Sequence, residues 1–538
     1  MSSNTPFRRR GLYALGALAA VAALATMPAR ADDTAPTIAD YTAPTIGEAG
    51  ATDVREQEIS SAPNLPSAPM PAGFVANRPT MPIAQYLAAK AARPVPATGK
   101  GATQQLGPSV SGTGIAGAIV NETQTGLIPP DGDIASNSTW SVQLVNSEIT
   151  IINWFTGAVT QKSLASFFGD STRFLFDPRV VYDQVWNRWV VMADALQGNL
   201  STFDVAFSQT SNPTGSWFIY NFGIGTPAGD FGDFPQLGMD LNSIIFTYND
   251  FMANGGFSAN TFAVAKAYFY NGGGQFVPLF GGSGCTNAPP YVEDNNGRSY
   301  ILAFCPADNK IFVGYMQDSG LSTVSLHLWD GTVGVANGGS LPPDAPQPNV
   351  SYALDTGDNR FENRSAQIGE RIWNVNVVKV GTATPQWYEI NGNFGGAPSL
   401  VSSSIWFATG TSSDWHPSIV VNSVKSGCAS GVPTGETFGT WMSTDASNHT
   451  FLNLRANGST CDSAGFGPGI VVLNSAAPLT GQTDSIGRHR SGDYSYISLL
   501  PLPAFGCVAN ELGVLEGEVT LNSSSSNWAA AVAIVKHC

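Results

Sequence analysis

Residues 291–316 read YVEDNNGRSYILAFCPADNKIFVGYM: apolar runs of strand length broken at Asn296-Gly297 and again at Asp308-Asn309. Asn-Gly between such runs favours a tight hairpin, because both residues tolerate the left-handed backbone that a two-residue turn needs, so the stretch predicts a three-strand antiparallel meander. The same texture extends in both directions. Val180 to Ala193 places VVY and RWVVMA on either side of the polar turn DQVWN, and Ala263 to Leu279 breaks at Asn271-Gly272-Gly273-Gly274. From Pro129-Pro130 onward, β-branched and aromatic runs alternate with Gly, Asn, Asp or Pro clusters, and no long amphipathic helix is visible. About 410 residues of such meanders exceed one sandwich, whereas a β-propeller uses them in four-stranded blades. The reading is a single all-β propeller over 127–538, of six to eight blades, with seven favoured.

Upstream, the character changes. Arg8-Arg9-Arg10, an apolar stretch from Gly11 to Met27 and the small-x-small site Ala29-Arg30-Ala31 have the three parts of a secretory signal, expected to be cleaved before Asp32. The arginine run fits a twin-arginine leader or an ordinary basic start. Residues 32–126 are rich in Ala, Pro and Thr, with TAPTIAD at Thr34 echoed as TAPTIGE at Thr42, and read as a linker or weakly ordered arm. Pro82 to Ala92 is helix-forming, expected to be transient there. No later segment has eighteen consecutive apolar residues, so no membrane span is expected after signal cleavage.

The chain has 25 basic and 40 acidic residues, a formal charge of −15. Loss of the signal removes four arginines and no acids, leaving −19, a balance that argues against nucleic acid. Six cysteines follow the signal: Cys285, Cys305, Cys428, Cys461, Cys507 and Cys538. An even number in an exported chain points to disulfides, and pairing in sequence order closes modest loops. With no close Cys-x-x-Cys pair and no histidine at ligand spacing, zinc is not expected. No metal site is assigned and no cofactor is implied; calcium elsewhere on the acidic surface stays open.

The order of several pieces carries a family resemblance. PPDGD from Pro129, SVQLVNSEITIIN, FDPRVVYDQVWNRWVV from Phe176, SNPTGSW from Ser211 and DFPQLGMD from Asp233 are followed by YALDTGDNRF, QWYEI, WHPSIVVN and RSGDYSYISLLP. Together they resemble a group of secreted bacterial β-propeller proteins, distantly similar to sialidases. The resemblance implies fold and export; the group has no single settled activity. Ser491 stands where the final signature commonly has tryptophan, a departure that bears on any ligand role of that loop.

Catalytic candidates are few. His416, beside Trp415, offers a proton shuttle next to a sugar-stacking ring, against the plainer reading of a strand-entry turn. Asp493, Tyr494 and Arg490 share a glycine-containing loop with His489. Tyrosine or histidine as base with arginine on a uronate suits a lyase, and Asp493 as acid suits a hydrolase. Asp233 is a substrate-binding candidate; Asp177 and Asp183 read chiefly as turn caps with Arg179 pairing one of them, and Asp233 and Asp240 share that ambiguity. There is no G-x-S-x-G elbow, H-E-x-x-H pair, P-loop or dinucleotide fingerprint. Two expectations stand: a secreted or periplasmic propeller that engages an extracellular glycan, cleaving it as hydrolase or lyase, or a noncatalytic surface or matrix protein binding a glycan or protein partner.

Overall fold

The computed structural model describes residues 51–71, 74, 78–91, 113–121, 130–146, 148–224, 229–274, 279–294, 298–306, 308–318, 324–422, 436–459, 469–480, 483–503, 507, 511–520 and 528–537. Among them the strands fall into antiparallel units that follow one another along the chain. The first comprises 133–136, 140–145, 148–153 and 159–163; the second 174–183, 188–197, 200–208 and 216–223; the third 231–239, 243–251, 257–265 and 279–283. The fourth has 287–288, 298–304, 310–318 and 324–334; the fifth 365–368, 371–380, 382–391 and 399–405; the sixth 413–422, 436–445, 450–459 and 470–474. The last is 496–500, 512–520 and 528–537, completed on its outer edge by Thr113–Asn121 from the N-terminal region.

The innermost strand of each unit packs against that of the next. Asp133–Ser136 meets Phe174–Asp183, which meets Phe231–Met239; Pro290–Val292 then links that strand to Ser365–Ile368 by parallel pairing. Ser365–Ile368 meets Ser413–Asn422, which meets Tyr496–Leu500, and Tyr496–Leu500 returns to Asp133–Ser136. This closed circuit of antiparallel units is a β-propeller, the all-β fold expected. Each blade lies between two others, so its inner strand is buried on both faces: every residue of Phe174–Asp183, Phe231–Met239 and Ser413–Asn422 is inside. Trp373, Trp387, Trp406, Ile419 and Trp441 fill the seam between the fifth and sixth units. Full burial of a large apolar side chain contributes roughly 1.5–3 kcal/mol, so such seams supply most of the ring's cohesion. Gly238 is needed where the third unit approaches the fourth, because a Cβ there would lie 2.4 Å from the Pro290 carbonyl.

The meander around residue 300 forms with one change. Arg298–Phe304 pairs with Lys310–Asp318 as expected, but its other neighbour is Asn287–Ala288, and Pro290–Val292 joins the adjacent units instead. Pro289 and Pro290 offer no N–H to an antiparallel ladder, so the pairing steps back past them. Cys285 and Cys305 form a disulfide, the first of the sequence-order pairs. Cys507 is also disulfide-bonded; Cys428, Cys461 and Cys538 lie outside the described residues.

The described part of residues 32–126 departs from a free linker. Ala51–Glu58 adds a strand to the outer edge of the second unit, and Ile83–Ala91 is a helix docked on the ring. Its anchors explain the order: Tyr86 donates to Asp355 Oδ1 at 2.6 Å, and Lys90 Nζ lies 3.3 Å from both Asp344 and Asp355. No helix of the described residues is long and apolar enough to cross a membrane.

Candidate functional site

Three inner strands start with the same device. The pairing register slips between Phe176 and Arg179, Asp233 and Gln236, and Trp415 and Ser418. In each bulge a residue followed by proline is held at positive φ: Asp177 at 44°, Phe234 at 58° and His416 at 47°. A left-handed backbone costs a non-glycine residue about 1–2 kcal/mol, so the ring enforces it, and proline's missing N–H suits a position where the ladder is broken. The first unit places Asp131 at φ 43° in the corresponding approach to its inner strand.

These turns converge at the mouth of the central channel. Asn146 ties two of them, donating to Asp131 Oδ2 at 2.8 Å and accepting from the Asp177 amide at 2.8 Å. Asp131 Oδ1 accepts from the Asp493 amide at 2.7 Å, and the Tyr494 hydroxyl donates to Asp177 Oδ2 at 3.2 Å. The Arg179 guanidinium lies 3.7 Å from the Tyr494 ring centre while Nε donates to the Pro235 carbonyl at 2.9 Å. One oxygen each of Asp177, Asp194 and Asp233 lies within 4.8 Å of the others. Burial pushes all three carboxyls up, Asp177 and Asp194 well above the ordinary range, with neighbouring carboxylates adding to the shift of those two.

Beside this cluster, His416 Nδ1 is 3.1 Å from Glu362 Oε1. Burial raises the Glu362 carboxyl, with the His416 interaction working the other way. Pro79, Tyr86, Phe234, Gly357, Arg360 and Glu362 line a small cleft there. Arg360 pairs with Asp358 at 2.7 Å through Nη2, while its buried Nη1 has no hydrogen-bond partner. The N-terminal region closes the cleft from outside. Arg78 N donates to Asp233 Oδ2 at 3.0 Å, Arg360 Nη2 donates to the Arg78 carbonyl at 2.9 Å, and Phe74 packs edge-on against Phe174, Phe176 and Phe231.

The fold thus gathers Asp233 and His416, from two inner strands, and Tyr494, Asp493 and Arg490, from the loop before 496–500, at one end of the channel, all of them buried. Asp493 and Arg490 form an ion pair with each other, so neither is a free acid or a free anion receptor. Trp415 departs from a stacking platform: it is fully buried among Val377, Met442, Leu452 and Ala530, with Nε1 donating to Ser491 Oγ at 3.1 Å. Ser491 is therefore the partner of a core tryptophan. Asp183 caps a turn and pairs with Lys266 at 2.6 Å, and Asp240 caps the turn to Asn242 and Ser243, so both are scaffold. Asp131, Asp194, Arg360 and Glu362 escaped the sequence reading. The recurrence of a residue before proline at Asp177, Phe234 and His416 was the signal for the turns; Asp194, in the middle of an apolar strand, gave none.

No family model matches the chain, and comparison with curated proteins finds no match. Solved structures give distant likenesses. A neuraminidase-like protein (A/flat-faced bat/Peru) is 10% identical over 66% of this chain and 96% of its own, with a TM-score of 0.37. An exo-β-1,3-galactanase from Phanerochaete chrysosporium is 12% identical over 79% of this chain and 96% of its own, TM-score 0.28. Trypanosoma rangeli sialidase is 11% identical over 70% and 56%, TM-score 0.33. At these levels the class rests on the strand circuit itself: a β-propeller with a buried carboxylate site at the channel mouth.

Proposed function

We propose that this chain is an exported protein, residues 1–31 its leader and 127–538 a seven-bladed propeller, that engages an extracellular glycan at the channel mouth and cleaves it by acid–base chemistry. The observation that carries the reading is Glu362, which lines a cleft together with Arg360, whose Nη1 has no hydrogen-bond partner, and which has His416 Nδ1 3.1 Å from its Oε1 behind it. A carboxyl raised by burial keeps its proton toward neutral pH and can donate it to a departing glycosidic oxygen, while a water adds to the freed anomeric carbon and its released proton restores the carboxyl. His416 then serves to orient Glu362, and Arg360 Nη1 to hold a substrate hydroxyl or carboxylate. In this reading Phe74, Arg78, Tyr86 and Lys90 form a cover, and activity requires that it lift.

The burial of every candidate favours a second reading, a noncatalytic surface or matrix protein that presents this face to a glycan or protein partner once the cover moves. Incubating the full chain and its K90M and K90M/E362Q variants with neutral, acidic and amino-sugar polysaccharides separates the two. New reducing ends from K90M above wild type, lost in K90M/E362Q, support hydrolysis; ultraviolet-absorbing products indicate a lyase. Silence with retention on one immobilised glycan moves the assignment to the binding protein.

A further inference from the structure

Three buried carboxylates from two blades crowd one point under the cover, and the arginines around them do not offset the burial that raises all three. Asp177 lies on the inner strand of the second unit, Asp194 on the neighbouring strand of the same unit across from Phe176, and Asp233 on the inner strand of the third. Asp177 and Asp233 are fully buried and Asp194 is 2% exposed. Each turns at least one spare oxygen loose: Asp177 Oδ1, Asp233 Oδ1 and both oxygens of Asp194 have no hydrogen-bond partner. The other oxygens of the first two are committed, Asp177 Oδ2 to the Tyr494 hydroxyl and Asp233 Oδ2 to the Arg78 amide. Arg179, the nearby guanidinium, is spent on the Pro235 carbonyl, Asn363 Oδ1 and the Tyr494 ring.

We infer that Asp177, Asp194 and Asp233 bind a divalent, oxygen-seeking cation of the calcium class. The donor set holds carboxylate oxygen and neither imidazole nor thiolate, which selects a hard cation over zinc or copper. Calcium–oxygen distances of about 2.3–2.6 Å let one ion bridge oxygens up to about 4.8 Å apart, and a dry cage of protein oxygens suits calcium better than magnesium, which usually keeps several of its waters. The oxygens of the three aspartates fall within that span. Asn249, the cross-strand partner of Asp233, is fully buried with no hydrogen-bond partner for either amide atom, and its amide oxygen is the fourth ligand in this proposal. The hydrogen bonds from Tyr494 and Arg78 orient the two outer carboxylates as supports behind the ligands. The bound ion would pin the second blade to the third and offset a like-charge repulsion that otherwise has to be met by protons. The inference does not depend on glycan cleavage.

The test uses the full chain, stripped with EDTA and then dialysed against calcium or magnesium. Metal analysis should return one equivalent of calcium, with a melting temperature higher in calcium than in EDTA and a smaller response to magnesium. D194N, which keeps the side-chain volume, should bind calcium at least tenfold more weakly, whereas D445N, altering a turn acid in the sixth blade, should bind as wild type does. If D194N does not fold, N249A takes its place, with a weaker loss of the same sign. Wild type that holds no calcium and melts identically in calcium and EDTA overturns the inference, as does binding undiminished in D194N or a response to magnesium alone.

Discussion

Replacing Lys90 by Met removes the ammonium that fastens the N-terminal helix to the ring while keeping most of the apolar stem. The Lys90 side chain is 4% exposed, 3.3 Å from Asp344 and from Asp355, and donates to Thr356 Oγ1 at 2.8 Å. Burial alone would raise Asp355, yet the Lys90 and Arg488 charges outweigh it and hold that carboxyl well below the usual range. Breaking a buried pair by deleting one partner costs on the order of 3–5 kcal/mol. Two features reduce that here: Asp344 is 31% exposed and can rehydrate, and Arg488 stays 3.6 Å from Asp355. A cost of about 2–3 kcal/mol remains, which raises the open population of the cover about 30- to 160-fold. Amide hydrogen exchange reads this directly: residues 83–91 should lose protection by that factor while the inner strand 174–183 keeps its own. Unchanged protection at 83–91, or equal loss in both places, would refute the reasoning, the first by showing that the pair does not hold the cover and the second that it holds the whole ring.

Other expectations follow from single contacts. Trp217 is fully buried against Phe167, with Nε1 donating to the Pro213 carbonyl at 3.0 Å, so W217A should cost about 3–5 kcal/mol in denaturant unfolding. Glu516 is 1% exposed and its carboxyl is raised well above the ordinary range by burial and then by Asp133. A raised folded-state pKa gives stability that is complete below the unfolded value and is lost as pH rises through the folded one. Melting temperatures of wild type should therefore fall from pH 5 to pH 8 more steeply than those of E516Q, the difference being about 1.4 kcal/mol for each pH unit between the two pKa values. Parallel slopes would count against this. Opening the Cys285–Cys305 bridge, which spans 20 residues, should cost about 3 kcal/mol, seen as a lower melting temperature of C285S/C305S against oxidised wild type.

The strands were legible because hairpin chemistry is local: DQVWN between VVY and RWVVMA becomes the turn where Asp183 caps the amides of Val185 and Trp186. The site was only half legible because its members meet through ring closure, which no local pattern records. Tyr494 and Asp177 touch across 317 residues of sequence. Asp194 has apolar neighbours on a strand buried on both faces, so alternation gave no hint that its side chain points at other acids. The N-terminal region was misleading for a different reason: its composition cannot build a core of its own, and its few anchors, Phe74, Tyr86 and Lys90, find their partners on the propeller instead.

The strand Trp528–His537 lies between 512–520 and the early strand 113–121, so a late strand and an early one share a sheet. Assembly therefore has a fixed last step. Until 528–537 has emerged, the blade bearing 496–500 lacks its third strand, and 113–121 presents an unpaired edge able to join another copy of itself. Contacts of such long sequence separation form late and slowly. A chain that stalls or is clipped before 528–537 is thus left as an open arc with two adhesive edges, and its vulnerable period is the interval between making the middle blades and making that strand.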